Sequence, residues 1–151
     1  MKHTEPSSNA ELGRRFEQEA RDFFSVKHGI KLDYNFKLKV GIESDEKGHN
    51  FDLGCKNKKI IVECKSHKWT SSGNIPSAKM TIWNEAMYYF HVSPPNYRKI
   101  MFVLYDYSEK RNETLAEYYL RTNYHLIPQD VEFWEYDEGE KTAKRVRNSH
   151  K

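Results

Sequence analysis

Two short apolar arms flank a polar turn near the middle of the chain, and their pairing constrains the fold more than any other feature. Phe51-Asp52-Leu53-Gly54-Cys55 is followed by Lys56-Asn57-Lys58-Lys59 and then by Ile60-Ile61-Val62-Glu63-Cys64-Lys65. With the turn centred between Asn57 and Lys58, facing residues have numbers that sum to 115. Cys55 then faces Ile60, Leu53 faces Val62 and Phe51 faces Cys64, which builds one apolar face. A slip of one residue destroys that match. The other face follows: Asp52 sits opposite Glu63, with β-carbons roughly 5 Å apart, and Lys65 shares their side of the strand. Facing like charges destabilise a sheet. A divalent cation between two hard carboxylates removes that conflict, and open water positions suit Mg²⁺ or Mn²⁺. An ordinary solvent-facing strand carrying surface charges is the alternative reading of the same residues.

The flanking sequence supplies helices and further strands. Leu12, Phe16, Ala20, Phe23 and Phe24 lie on one face of a helix predicted over 9–26, with Asn9 as cap and Gly29 as stop. At 100° per residue Glu17 lies at the rim of that face, beside Phe24 and Gly13, and points over the sheet; Glu19 takes the opposite rim. Leu32, Tyr34, Phe36, Leu38, Val40 and Ile42 alternate strictly and predict a half-buried strand, followed by a loop over 44–49. After a loop over 66–76, a second helix is predicted over 78–91, capped by Ser77 and stopped before Pro94-Pro95. The run 100–105 is continuously apolar and reads as a central strand buried on both faces. A short helix over 114–121 turns Leu115, Tyr118 and Tyr119 inward, and a last strand covers 131–136. The expected fold is therefore α/β, a mixed central sheet flanked by helices in the order αβββαβ followed by αβ.

With 151 residues one domain is expected, covering 11–137, preceded by a disordered lead-in over 1–10 and followed by a basic flexible tail over 138–151. Mean hydropathy is −0.94, yet 14% of residues are aromatic, which excludes wholesale disorder. No stretch is apolar enough for a membrane span, and the N-terminus lacks the apolar segment of a secretory signal, so a cytoplasmic protein without a membrane partner is expected. The two cysteines lie four residues apart along the hairpin axis, ~13 Å at strand spacing, too far to pair or share a metal; they read as core thiols. The seven histidines have no zinc-motif companions, and no phosphate-binding glycine loop or nucleophile elbow is present. A net charge of +3 permits a nucleic-acid partner without requiring one.

Together these residues resemble the PD-(D/E)xK nuclease superfamily, whose fold is restriction-endonuclease-like. Gly13-Arg14-Arg15-Phe16-Glu17 is similar to the G-x-x-x-E opening helix of its small, Holliday-junction-resolvase-like members. Asp52, ten intervening residues and Glu63-Cys64-Lys65 are similar to its D…E-x-K signature, with Phe51 where the family name has Pro. The likeness spans roughly residues 9–107. It implies a metal-dependent nuclease hydrolysing phosphodiester bonds in DNA. Asp52, Glu63 and the main-chain carbonyl of Cys64 would hold Mg²⁺ or Mn²⁺, Glu17 would join through a water or a second ion, and Lys65 would stabilise charge and orient water. A catalytically silent nucleic-acid-binding or assembly subunit, and a dimeric sequence-specific restriction endonuclease, are the alternatives. A homodimer is the expected assembly.

Further basic and aromatic residues are candidates for nucleic-acid contact. His67, Lys68 and Trp69 follow the signature directly, and could grip a backbone and stack on a base, or form a wet loop with one anchoring Trp. Lys79 falls inside the apolar arc of the second helix, either snorkelling past the helix end or contacting DNA phosphate. Arg14 and Arg15 lie on the outer side of the first helix, solvated or on phosphate. Tyr118, Tyr119 and Tyr124 read as core rather than as a stacking platform.

Overall fold

A computed structural model describes residues 9–147. Its helices are α1 (Asn9–His28), α2 (Ser77–His91) and α3 (Leu115–Thr122). Its strands are β1 (Asp33–Val40), β2 (Lys47–Cys55), β3 (Ile60–Lys65), β4 (Arg98–Leu104), β5 (Tyr107–Ser108), β6 (Glu113–Thr114), β7 (Val131–Asp137) and β8 (Thr142–Arg147). Six strands form a mixed sheet in the order β1-β2-β3-β4-β7-β8. The β3–β4 and β4–β7 pairs are parallel, and α2 and α3 provide the crossovers that parallel pairs need. The outer pairs are antiparallel. Among the described residues no helix is long and apolar enough to cross a membrane.

Helices cover both faces. Phe16, Ala20, Phe23 and Phe24 of α1 pack on Leu53, Val62, Ile100, Phe102, Trp134 and Tyr136. Helices α2 and α3 bring Trp83, Met87, Phe90 and Tyr119 onto Phe51, Ile61, Met101, Val103 and Phe133. The run expected to be a doubly buried strand is indeed the sheet's centre, although it ends at Leu104 and leaves Tyr105 exposed. The hairpin is buried on both sides rather than half-buried, because Ile61 lies under α2 while Val62 lies under α1.

Local chemistry explains most boundaries. Helix α1 runs two residues past 26, and Gly29 then adopts φ +64, which turns its N–H and that of Ile30 back onto the carbonyls of Ser25 and Phe24. Helix α3 starts at a capping box: Thr114 Oγ1 accepts from Glu117 N–H, and the Glu117 carboxylate accepts from Thr114 N–H. Ser77 is not the cap of α2. It is the first helical residue, Pro76 holds the cap position, and no side chain caps the end.

The C-terminal stretch corrects the expectation of a flexible tail. Thr142–Arg147 forms β8, antiparallel to β7. Its arginines have structural partners: the Arg145 guanidinium lies 4.9 Å from the Trp134 ring centre, and Arg147 Nη1 donates to the carbonyls of Pro128 and Val131. Residues 1–8 and 148–151 lie outside the described residues; residues 9 and 10, expected in the lead-in, belong to α1.

Candidate active site

The site forms where the β2–β3 ladder opens. Leu53 pairs with Val62, Gly54 with Ile61 and Cys55 with Ile60, the register summing to 115. The ladder then stops. In place of the next backbone pair, Asp52 N–H donates to Glu63 Oε2 at 3.1 Å, and Cys64 N–H donates to Asp52 Oδ2 at 2.8 Å. The β1–β2 ladder also skips a pair here: Asn35 lies across from Asp52 with φ +50, and pairing resumes on either side. This irregularity turns the strand over. Leu53 faces α1 while Phe51 faces α2, so Phe51 does not share a face with Leu53 and Cys64 as alternation predicts. Strand β3 stays paired with β4 through Lys65 while β2 veers away.

Four of the predicted residues meet at this opening. Glu17, from α1, comes close enough to Asp52 for the two carboxyl groups to act on each other. Glu63 is 6% exposed, and Lys65 Nζ lies 3.4 Å from Glu63 Oε1. Burial first, and then the neighbouring Asp52 charge, push both the Glu17 and Glu63 carboxyls up to about 7. The Lys65 ammonium is partly desolvated, which opposes its charge, but Glu63 and Asp52 outweigh this and hold its pKa above the usual lysine value. It therefore stays a cation. The Cys64 thiol is buried on the α1 side, and burial followed by the surrounding carboxylates raises its pKa well above normal, which excludes it as a thiolate nucleophile.

The donor set is hard oxygen with an excess of carboxyl groups: Glu17 and Glu63 both interact with Asp52, and Lys65 pairs directly with Glu63. Among the described residues no group of three or more His, Cys, Asp or Glu side chains is arranged to hold a metal ion. Two carboxylates and a main-chain carbonyl, completed by water, require less than that, and the chemistry of the donors fits a Mg²⁺-like ion.

A cavity of about 420 Å³ opens over these groups, and Glu17, Asp52, Lys65, His67, Lys68 and Lys79 are among its lining residues. Lys68 and Lys79 are exposed. Lys79 has the helical phase of the buried Trp83, Ala86 and Phe90, but in the first turn of α2 it lies exposed at the cavity rather than in the core. Arg14 is exposed on α1 and lies outside the cavity lining; its charge lowers the Glu17 pKa in opposition to Asp52. A larger cleft of about 980 Å³ lies under the C-terminal end of α2. Its buried Lys99 is paired with Asp130, and no second carboxylate joins them in its lining.

Trp69 is corrected from a stacking candidate to a core residue. It is 8% exposed, its backbone N–H donates to Asp106 Oδ2, and its indole N–H donates to the Asp106 carbonyl. Tyr119 is core as expected, with its hydroxyl donating to Asn84 Oδ1, whereas Tyr124 is exposed. His49 is a neighbour that pattern reading missed. It stacks on Tyr89 with centroids 3.6 Å apart and feels the charges of Asp52, Glu85 and Lys65. It belongs to β2, which begins at Lys47 within the expected loop. Comparison with family models, curated proteins and solved structures gives no match.

Proposed function

We propose that this chain is a metal-dependent nuclease that hydrolyses phosphodiester bonds in DNA, with a restriction-endonuclease-like fold of the PD-(D/E)xK type. The observation that carries the reading is the convergence of Glu17, Asp52 and Glu63 with Lys65 at the opened ladder, beneath a cavity. A purely structural surface gains nothing from burying acids against one another. The site also lies at the carboxyl end of β3, a parallel strand of the sheet, where α/β folds place their crevices.

In this reading Asp52, Glu63 and the Cys64 carbonyl hold Mg²⁺ or Mn²⁺, with Glu17 joining through water or a second ion. When bound, such an ion polarises the phosphate and lowers the pKa of a water ligand. Lys65, kept protonated by Glu63 and Asp52, orients the attacking water and offsets charge on the phosphate oxygens. Its ammonium is not a general base. Glu17, beside the water in this arrangement, would be placed to take up a proton as the water is consumed. Lys68 and Lys79 stand at the cavity where flanking phosphates would pass.

Supercoiled, linear, single-stranded and four-way-junction DNA incubated with Mg²⁺ or Mn²⁺ tests the assignment. Wild-type protein is expected to cleave at least one of them and EDTA to silence it, while Glu63→Ala and Lys65→Ala, shown to be folded by circular dichroism, are inactive. Cleavage by either variant at the wild-type rate rejects the proposal.

A further inference from the structure

One histidine in the cavity is held in a way that catalysis by carboxylates does not explain. Trp83 of α2 is fully buried, and its indole N–H, which can only donate, points at His67 Nδ1 at 2.8 Å. Nδ1 must therefore be unprotonated, and the single proton of the neutral ring sits on Nε2. The Nδ1 edge faces the core, so the Nε2–H edge is the one left to the cavity that His67 lines with Lys65, Lys68 and Lys79. Burial, and then the charges of Lys65 and Lys79, push the His67 pKa down to about 4, so the ring is neutral at ordinary pH. With Nδ1 occupied and Nε2 carrying the proton, the ring is neither a general base nor a cation. It presents one oriented donor in a cavity that also holds the Lys65 and Lys79 ammonium groups. The same cavity is lined by Glu17 and Asp52, so acids and hydrogen-bond donors share one space.

We propose that His67 and Lys79 form a subsite for a non-bridging oxygen of the substrate's phosphodiester, with His67 acting as a neutral hydrogen-bond donor whose tautomer is fixed by Trp83. The proposal rests on the nuclease reading and extends it. It assigns the donors of the cavity to the phosphate anion and gives the segment after the lysine a chemical role other than cationic grip.

Long-range ¹H–¹⁵N correlation of the imidazole at pH 7 tests it, with a short DNA duplex added in the presence of Ca²⁺, and with His67→Ala and His67→Gln measured alongside. The expected spectrum shows unprotonated Nδ1 and protonated Nε2, and the Nε2–H resonance moves when duplex is added. His67→Ala is expected to weaken duplex affinity about tenfold, the loss of one hydrogen bond to a charged group, and His67→Gln, whose amide can donate from a similar place, to recover most of it. An imidazolium or an Nδ1–H tautomer, an Nε2–H resonance indifferent to duplex, or a glutamine variant no better than alanine overturns the subsite. Wild-type protein that cleaves no DNA with Mg²⁺ or Mn²⁺, yet shows the Nε2–H response, supports the subsite and counts against the nuclease reading alone.

Discussion

Glu17 shows how one side chain links burial to a measurable pH dependence. Its carboxyl is raised from 4.5 to about 7, by burial first and then by Asp52. The folded protein thus keeps a proton that the unfolded chain releases above pH 4.5. Stability from this source is complete below pH 4.5 and is lost as pH rises through about 7. Glu17→Gln keeps a neutral hydrogen-bonding group and removes that loss. Its thermal midpoint relative to wild type is expected to climb between pH 5 and pH 8, worth on the order of 1 kcal/mol after allowance for partial solvent screening. His67, whose pKa is lowered to about 4, acts in the opposite direction below pH 6.5, but it is common to both proteins and cancels in the difference. Melting curves of the two proteins across that range, in EDTA, are the measurement; parallel curves would show that Glu17 is not held against Asp52. The residue was legible beforehand because helical phase alone places it at the rim of the α1 apolar face. Trp69 was not, because an aromatic next to basic residues has the same local pattern whether it stacks on a base or anchors a loop. Only Asp106, 37 residues away, identifies it as an anchor.

At the scale of elements, the hairpin register was readable from Cys55–Ile60 to Leu53–Val62, since a known turn centre and period-two alternation leave a single register, but not beyond it at Phe51. Where alternation fails, so does the reading. Tyr34 through Val40 look like one uniform strand, but Asn35 at φ +50 turns it over, and Leu32 and Phe36 end on opposite faces of the sheet. The eight residues of β1 also need a partner of similar length, a demand that would have extended β2 back to Lys47 and brought His49 into view. Strand β8 escaped because its edge position leaves one side unpaired, and its Lys and Arg look like a solvated end. The same elements make a stability prediction. Phe36 lies over Gly54, and a β-carbon added there would come within 2.3 Å of its ring. Gly54→Ala is expected to cost about 1–3 kcal/mol, as overpacking does, read as a lower urea midpoint. A midpoint unchanged from wild type would mean that Phe36 does not rest on β2 next to the site.

On the scale of the whole molecule, the net charge of +3 says little, because what matters is how charges of both signs gather at one cavity. Glu17 of α1 and Asp52 of β2 line it, with Glu63 of β3 buried beside them, while the segment after β3 and the first turn of α2 add Lys68 and Lys79 to the same lining. Without a bound cation the acidic cluster is a destabilising element, and the rest of the fold must hold it closed. An ion that binds only the folded state therefore stabilises it, by about 2.7 kcal/mol at a hundred times its dissociation constant. For a domain of this size that corresponds to a rise of roughly 5–10 °C in the melting midpoint. Asp52→Asn should reproduce part of that rise without metal. It removes one charge, relieves Glu17 and Glu63, and keeps an oxygen that can accept the Cys64 N–H. Having lost a ligand, the variant should also respond little to added Mg²⁺ or Mn²⁺. Scanning calorimetry of both proteins with and without the ion separates these effects. If Asp52→Asn is no more stable than wild type in EDTA, the acids do not oppose one another. If Mg²⁺ and Mn²⁺ leave the wild-type midpoint unmoved at millimolar concentration, the opened ladder is not a cation site.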